Sequence, residues 1–255
     1  MSLEKNKYIY IYIMTKKNYT IKGKTDGFGA QYHSIMSGIA YSKFKNYNYI
    51  HTPIAKIGNM TSEKLESLNN FIGIPSLPNQ NNIEIDITVP FSGEAIFSNK
   101  PSEYFTNDVI EILRKYYYST SKPVIENIDI AIHIRRGDVT NGVLKDRYTP
   151  NSYYNEIIKF LNRKYPNYNI TILSEGNVND FNELNGKNIS FKLNTSIAET
   201  FHSFVSAKIL ITAKSSFSYC AAILNSNEIY YMDWSTFSPL KNWKNISDFI
   251  TLKKE

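Results

Sequence analysis

The chain has 255 residues, of which 42% are hydrophobic and 20% are charged, a balance that indicates a folded globular protein and excludes a disordered one. Its single cysteine, Cys220, excludes an intramolecular disulfide and a cysteine-based zinc site, and its four histidines lack metal-ligand spacing. The net charge of +6 suits an anionic ligand, whereas the scattered lysines are typical of a solvated surface and argue against a nucleic-acid partner.

The most apolar N-terminal stretch is Tyr8–Met14, with the sequence YIYIYIM. Its seven alternating residues predict a strand and are too few to span a bilayer. No signal peptide is recognisable, so we expect a cytoplasmic protein without a transmembrane segment. The basic charge leaves peripheral association with an acidic membrane open.

The first half of the chain predicts alternating strands and helices. A glycine-rich turn at Asp26–Gly29 follows the strand Tyr8–Met14 and leads into a helix from about Ala30 to Phe44. The next predicted elements are a strand at Tyr47–His51, a helix at Leu65–Phe71, a strand at Ile83–Val89 and a helix at Ser102–Tyr117. The region of Pro123 is the expected boundary between an N-terminal domain, residues 1–122, and a C-terminal domain, residues 123–255.

The second half predicts a parallel sheet covered by helices. Its expected strands are Ile128–Ile134, Asn169–Leu173, Ile189–Leu193, Lys208–Ala213 and Glu228–Met232. Its expected helices follow Thr149-Pro150 and occupy Ser196–Ala207 and Ser215–Leu224, and a last one near Trp243–Ile250 would pack back on the N-terminal domain. Strands that alternate with helices imply an α/β fold with ligands at the carboxyl ends of the strands.

The segment His133-Ile-Arg135-Arg136-Gly-Asp138 ends the first of these buried strands. Arginine keeps its proton, so two adjacent arginines here need negative charge nearby. Side chains alternate along a strand, so we expect Arg135 to enter a ligand cleft and Arg136 to reach back to Asp138 or another carboxylate. The planar fork of Arg135 suits a diphosphate. A purely structural Arg–Asp pair is the alternative.

A second candidate element is the segment Ala213-Lys214-Ser215-Ser216-Phe217, which follows a strand and opens a helix. Free backbone N–H groups at a helix start, together with serine hydroxyls, form an anion pocket without the glycines of a phosphate-binding loop. The alternative is that Ser215 is an ordinary helix cap. Two such elements at the ends of strands in one sheet are stronger evidence for an anion site than either element alone.

The third candidate element is the turn Asp26-Gly27-Phe28-Gly29-Ala30-Gln31. It lacks the third glycine of a dinucleotide fingerprint, which speaks against an NAD site, but its glycines permit close approach of the backbone to a ligand. No Asp-x-Asp metal motif occurs, and the nearest segment, Glu84-Ile-Asp86, is typical of a strand surface. Metal-dependent glycosyltransferases use such a motif to neutralise the diphosphate that leaves the sugar. If no metal does so here, a protein cation must, and Arg135 is the natural candidate.

Together these segments resemble the fucosyltransferase superfamily, and most closely the α1,2-fucosyltransferase-like glycosyltransferase family 11. The resemblance covers roughly residues 8 to 225 and keeps the order of the family's motifs. The matching segments are Gly27–Gln31, His133–Asp138, Leu173–Glu175, Thr200–Ser203 and Ser215–Ala222.

The resemblance implies a GT-B-like fold, in which two Rossmann-like domains face each other across a cleft. It also implies an inverting, metal-independent transfer of fucose or a related deoxysugar from a GDP-sugar to a glycan hydroxyl, with no cofactor. The partners would be a nucleotide sugar and a glycan acceptor. Arg135 would be catalytic. The donor-binding residues by motif position would be His133, Arg136, Asp138, Ser174, Glu199, Ser215, Ser216, Phe217, Gly27 and Gly29.

Three positions depart from the family pattern. Ala30 stands where the family has Asn, Thr200 stands where it has Asp, with Glu199 as a substitute, and Lys214 replaces another Asn. These departures leave open a non-catalytic nucleotide- or glycan-binding module derived from such an enzyme. The candidates for the catalytic base are Asp26, Glu94 and His33.

Overall fold

The computed structural model describes residues 16–76, 83–89, 99–184, 186 and 188–251. Within them the chain forms two separate parallel sheets. The first contains β1 (Asn18–Ile21), β2 (Asn48–Tyr49) and β3 (Ile87–Val89) in the order β2-β1-β3. The predicted strand Tyr8–Met14 and the candidate base Glu94 lie outside the described residues.

Three helices accompany the first sheet: α1 (Phe28–Phe44), α2 (Ser62–Ile72) and α3 (Asn107–Tyr117). Helix α2 begins where Thr61 caps the amide of Lys64, and it ends at Gly73, whose φ of 70° is the left-handed conformation that glycine adopts readily. Helix α1 is buried on nearly all sides, as expected for a helix enclosed between other elements.

The second sheet has six strands: β4 (Ile130–His133), β5 (Ile170–Ser174), β6 (Ile189–Leu193), β7 (Ile209–Ile211), β8 (Glu228–Tyr231) and β9 (Lys244–Asn245). Every neighbouring pair is parallel, and the order is β6-β5-β4-β7-β8-β9. This is the 3-2-1-4-5-6 order of a Rossmann fold, in which a ligand crevice opens where the strand order reverses. The reversal here lies between β4 and β7.

The helices of the second half are α4 (Asn151–Lys164), α5 (Ile197–Ser206) and α6 (Ser216–Leu224). Helix α4 covers one face of the six-stranded sheet with Ile157 and Leu161, one helical turn apart and both fully buried. Helices α5 and α6 cover the other face and pack toward the first half of the chain.

One hydrophobic cluster runs through both halves, because α1 packs directly against α6. A Cβ atom on Gly29 of α1 would lie only 2.6 Å from the backbone nitrogen of Phe217 in α6. Arg114 of α3 donates hydrogen bonds of 2.9 Å to the carbonyl oxygens of Leu224 and Asn225, at the end of α6. The two sheets are therefore held together by a continuous core behind the crevice.

These features confirm the predicted α/β, GT-B-like architecture with two Rossmann-like parts. The domain boundary near Pro123 stays a prediction. None of the helices within the described ranges combines the length and apolarity needed to cross a membrane.

Three element predictions need correction. Helix α1 begins at Phe28 rather than Ala30, because Gly29 belongs to its first turn. The predicted helix Ser102–Tyr117 is a short 3-10 helix followed by α3. The terminal segment forms β9 and a 3-10 helix, whose Phe249 ring packs on Phe160 and Tyr230 of the second half instead of on the first half.

Candidate functional site

A cavity of about 280 Å³ opens at the carboxyl edge of the six-stranded sheet, beside the reversal between β4 and β7. Its walls come from both halves of the chain. They consist of Gly27–Ala30, Ile57, His133–Arg136, Leu173–Glu175, Asn194, Thr195, Ile197, Thr200 and Ser215–Phe217. The cavity thus lies where the topology of a Rossmann sheet places a ligand.

Three helices begin at this cavity: α1, α5 and α6. Ser196 and Ser215 cap α5 and α6 by accepting hydrogen bonds from Glu199 N and Phe217 N. Gly27 begins α1 without any side-chain cap. Each helix start carries about half a positive charge on its unpaired N–H groups. The three starts together favour an anion inside the cavity.

Arg135 lines the cavity and is 26% exposed. Its guanidinium forms an ion pair with Asp138, and its Nη1 lies 3.8 Å from Oε2 of Glu175. Gly137 turns the chain back through a φ of 79°, which brings Asp138 to the side of Arg135. The predicted pairing of Asp138 with Arg136 is therefore wrong. An anion that binds Arg135 would compete with the carboxylates of Asp138 and Glu175 for its guanidinium.

Arg136 braces the loop, as expected, but its partners are neutral. Its Nη1 donates to the carbonyl oxygen of Arg135 at 2.9 Å, and its Nη2 donates to Thr149 O at 3.1 Å and to Asn151 Oδ1 at 2.8 Å. The guanidinium also lies 4.6 Å from the ring centre of Tyr148. Arg136 reaches the cavity wall while these contacts hold it in place.

His133 forms part of the cavity wall and is 5% exposed. Its ring packs against Phe204 and Phe217, with centroid distances of 5.0 and 6.0 Å. Burial, and then the nearby charge of Arg135, lowers its pKa to about 3. No described residue hydrogen-bonds to its Nδ1. The neutral ring therefore keeps a buried nitrogen that has no hydrogen-bond partner among the described residues.

Stability should depend on pH through this ring and through His33, whose pKa burial also lowers to about 3. Above the ordinary pKa of 6.5 both folded and unfolded rings are neutral. Below 6.5 only the unfolded chain takes up protons, so the free energy of unfolding falls by about 1.4 kcal/mol per pH unit for each ring, down to pH 3.

The substitution His133→Gln removes one of these titrations. Between pH 6.5 and 5.0 it should reduce the loss of unfolding free energy by about 2 kcal/mol relative to the original chain. Urea unfolding at the two pH values measures the difference. An identical pH dependence in both proteins would mean that His133 is protonated in the fold as readily as in the unfolded chain.

The predicted serine and glycine residues also lie at the cavity. Ser174 donates its hydroxyl to Ile134 O at 2.8 Å, which ties the ends of β5 and β4 together. Ser215 and Ser216 form the start of α6. Gly27 borders open space, whereas Gly29 packs on Phe217, so the close backbone approach at Gly29 is to another helix.

Two predicted donor-binding residues lie outside the cavity wall: Asp138, which pairs with Arg135, and Glu199. Neighbouring residues on a helix point about 100° apart, and Thr200 is the one that lines the cavity. Its hydroxyl lies 2.6 Å from that of Thr195. Glu199, expected as a substitute for the Asp of the family that the sequence resembles, therefore does not line the cavity.

The described base candidates also lie elsewhere. Asp26 is exposed and 3.7 Å from Lys24, and His33 is buried against the rings of Tyr219 and Phe237. Neither belongs to the cavity wall. Across the ranges that the structure describes, no three His, Cys, Asp or Glu side chains are grouped to hold a metal ion, and metal independence stays a prediction.

Several wall residues were not among the predicted site residues. They are Ile57, Ile134, Leu173, Glu175, Asn194, Thr195, Ile197 and Thr200, together with Phe28 and Ala30. Two of them carried a signal in the sequence. Glu175 directly follows a buried strand, and Asn194, which has a φ of 55°, follows the next one. Polar residues at the ends of parallel strands converge on one edge.

No protein-family model and no curated protein matches the sequence. Among solved structures, the chain is similar to a mutant of Arabidopsis thaliana FUT1 in complex with GDP, with 11% identity, coverage of 91% of this chain and 73% of that one, and a TM-score of 0.45. It is also similar to NodZ α-1,6-fucosyltransferase co-crystallised with GDP, with 12% identity, coverage of 86% and 96%, and a TM-score of 0.42. A third similar structure is POFUT1 in complex with GDP-fucose, with 9% identity, coverage of 86% of this chain and 98% of that one, and a TM-score of 0.47. At this level of similarity, membership of glycosyltransferase family 11 stays a prediction.

Proposed function

We propose that the protein is a glycosyltransferase that binds a GDP-sugar in the described cavity and transfers fucose or a related deoxysugar to a glycan hydroxyl. One observation carries the proposal: Arg135 and the starts of three helices face one cavity at the strand reversal of a Rossmann sheet. Cationic and N–H donors in this arrangement suit a diphosphate. The order of the sequence motifs supports a GDP-sugar as the source of that diphosphate.

In this proposal Arg135 binds the diphosphate and stabilises its charge as the bond to the sugar breaks. The N–H groups at the starts of α6 and α1 would donate hydrogen bonds to the phosphates. His133 contributes a neutral aromatic ring to the wall, packed against Phe204 and Phe217. The reaction would invert the configuration at the anomeric carbon and need no metal ion, since protein groups supply the positive charge.

The first test is thermal unfolding with GDP in the presence of EDTA. At a GDP concentration about 100 times its Kd, the folded state gains about 2.7 kcal/mol. For a chain of this size we expect the Tm to rise by several degrees, at about 2–4 °C per kcal/mol. Comparison with ADP and UDP shows whether the site selects guanine. Comparison with GMP and guanosine shows how much the phosphates contribute to binding.

The expected order of Tm shifts is GDP above GMP, with guanosine producing almost none, because the proposed contacts are with phosphate oxygens. Equal Tm shifts with guanosine and GDP would mean that the cavity does not bind the diphosphate. No shift with GDP would overturn the GDP-sugar assignment, and a shift with ADP or UDP instead would redirect it.

A second candidate function is a binding module without turnover. Ala30 lines the cavity at the position where the fucosyltransferase family that the sequence resembles carries Asn, and the described wall contains one carboxylate, Glu175, which lies near Arg135. Release of GDP from GDP-fucose in the presence of a panel of glycan acceptors separates the two functions. Turnover supports the enzyme, whereas GDP-fucose binding without GDP release supports the module.

A further inference from the structure

Glu175 occupies a distinctive place in the six-stranded sheet. It follows β5, the neighbour of β4 on the side away from the strand reversal. In the 3-2-1-4-5-6 order, β4 is the first strand and β5 is the second. In dinucleotide-binding Rossmann folds, an acidic residue at the end of the second strand accepts a hydrogen bond from a ribose hydroxyl. Glu175 has the corresponding place in this sheet, and that observation is independent of the arginine motif.

The local packing holds this carboxylate beside the arginine loop. A Cβ atom on Gly137 would lie only 1.9 Å from Oε2 of Glu175, so the carboxylate occupies space that any other residue at that position would fill. The same oxygen lies 3.8 Å from Nη1 of Arg135. The loop after β5 thus packs closely against the loop after β4. The loop after β4 carries Arg135, the residue proposed to bind the diphosphate.

A second pair of contacts fixes the loop that carries Glu175. The amide of Gly176 donates to Oδ1 of Asn194 at 3.0 Å, and Nδ2 of Asn194 donates back to Gly176 O at 2.8 Å. This reciprocal bond joins the loops after β5 and β6 directly beside Glu175. The carboxylate therefore has a supported backbone while its side chain remains 59% exposed at the cavity wall.

We propose that Glu175 accepts hydrogen bonds from the ribose hydroxyls of the bound nucleotide and makes the site selective for ribonucleotides. This inference rests on the proposed function. The distance of 3.8 Å to Arg135 leaves the carboxylate oxygens available for further donors. The ribose of a nucleotide is joined to the diphosphate through its 5′ oxygen, and Arg135 and Glu175 line the same cavity, so a ligand held by Arg135 would have its ribose in the region of Glu175.

The competing role for Glu175 is that of a simple counter-ion to Arg135. The two roles predict different responses to removal of the ribose hydroxyls. The test measures Kd by calorimetry for GDP and for 2′,3′-dideoxy-GDP, with the full chain and with the variants Glu175→Gln and Glu183→Gln. Glu183 is an exposed residue outside the cavity wall and serves as the matched control.

The full chain and Glu183→Gln should bind GDP at least about tenfold more tightly than the dideoxy analogue, the usual effect of a hydrogen bond to a charged group. In Glu175→Gln this ratio should fall severalfold toward one. Gly137→Ala, which displaces the carboxylate without removing it, should lower the ratio as well.

A ratio that is unchanged in Glu175→Gln, with both ligands bound more tightly, would assign Glu175 as a counter-ion and overturn the inference while the proposed function stands. Absence of any GDP binding by the full chain would overturn the proposed function and the inference with it. The ligand-free Tm of each variant shows that it is folded at the assay temperature.

Discussion

Replacement of Arg135 by alanine should abolish most of the GDP-induced rise in Tm. A hydrogen bond to a charged group contributes about 1.5–3 kcal/mol to binding, which corresponds to roughly a ten- to hundredfold weaker Kd. The loss should reach the upper part of this range, because Glu175 in the cavity wall and Asp138 beside it would lose the cation that offsets their repulsion of the diphosphate. Differential scanning fluorimetry across a GDP titration measures the effect.

Two other arginines make the test specific. Arg163→Ala, an exposed position on α4, should leave the GDP response unchanged. Arg136→Ala should lower the ligand-free Tm, because the side chain makes three hydrogen bonds that hold the loop. If Arg135→Ala kept the full GDP-dependent shift, Arg135 would be a structural partner of Asp138 and the diphosphate would bind elsewhere.

Replacement of Gly29 by alanine should destabilise the fold more than any other single methyl group added at the cavity's glycines. The new Cβ would lie 2.6 and 2.7 Å from the backbone nitrogen and Cα of Phe217, and backbone atoms cannot move aside as a side chain can. Overpacking of this kind costs about 1–3 kcal/mol, or roughly 2–12 °C in Tm at this chain length. Urea and thermal unfolding without ligand measure the loss.

Gly27→Ala is the matched control, two residues away in the same segment. Its Cβ would meet nothing within 4 Å, and its φ of −62° is ordinary for alanine. Its stability should stay within about 0.5 kcal/mol of the original chain. Equal destabilisation by both substitutions would mean that the turn itself needs glycine, and that contact between α1 and α6 is not the cause.

The second half of the fold could be predicted well because its central strands β4, β5 and β7 are buried on both faces. Segments rich in β-branched residues, such as Ile128–Ile134 with isoleucine at every second position, favour strands, and helices with regular apolar spacing alternate with them. Strand β1 was missed because Asn18–Ile21 is short and half polar. Its burial depends on partners distant in the chain, β2 and β3, which local periodicity does not reveal.

The same distinction applies to the site. The exit of Arg135 and Arg136 toward different surroundings follows from alternation along the chain, and it was predictable. The partner of Asp138 was not, because it depends on the left-handed turn at Gly137. The role of Gly29 also required the structure, since its neighbour Phe217 lies far along the sequence. Topology alone places Glu175, once the strand order is known.

The core shared by α1 and α6 limits how the protein can respond to a ligand. Two lobes joined only by a linker can rotate as rigid bodies and close over a substrate. Here such a rotation would pull Gly29 away from Phe217. It would also expose the ring of Phe28 of α1, which packs on the ring of Phe217 of α6. We therefore expect a single cooperative melting transition for the chain, and adjustment to a ligand through wall loops and side chains rather than through a hinge.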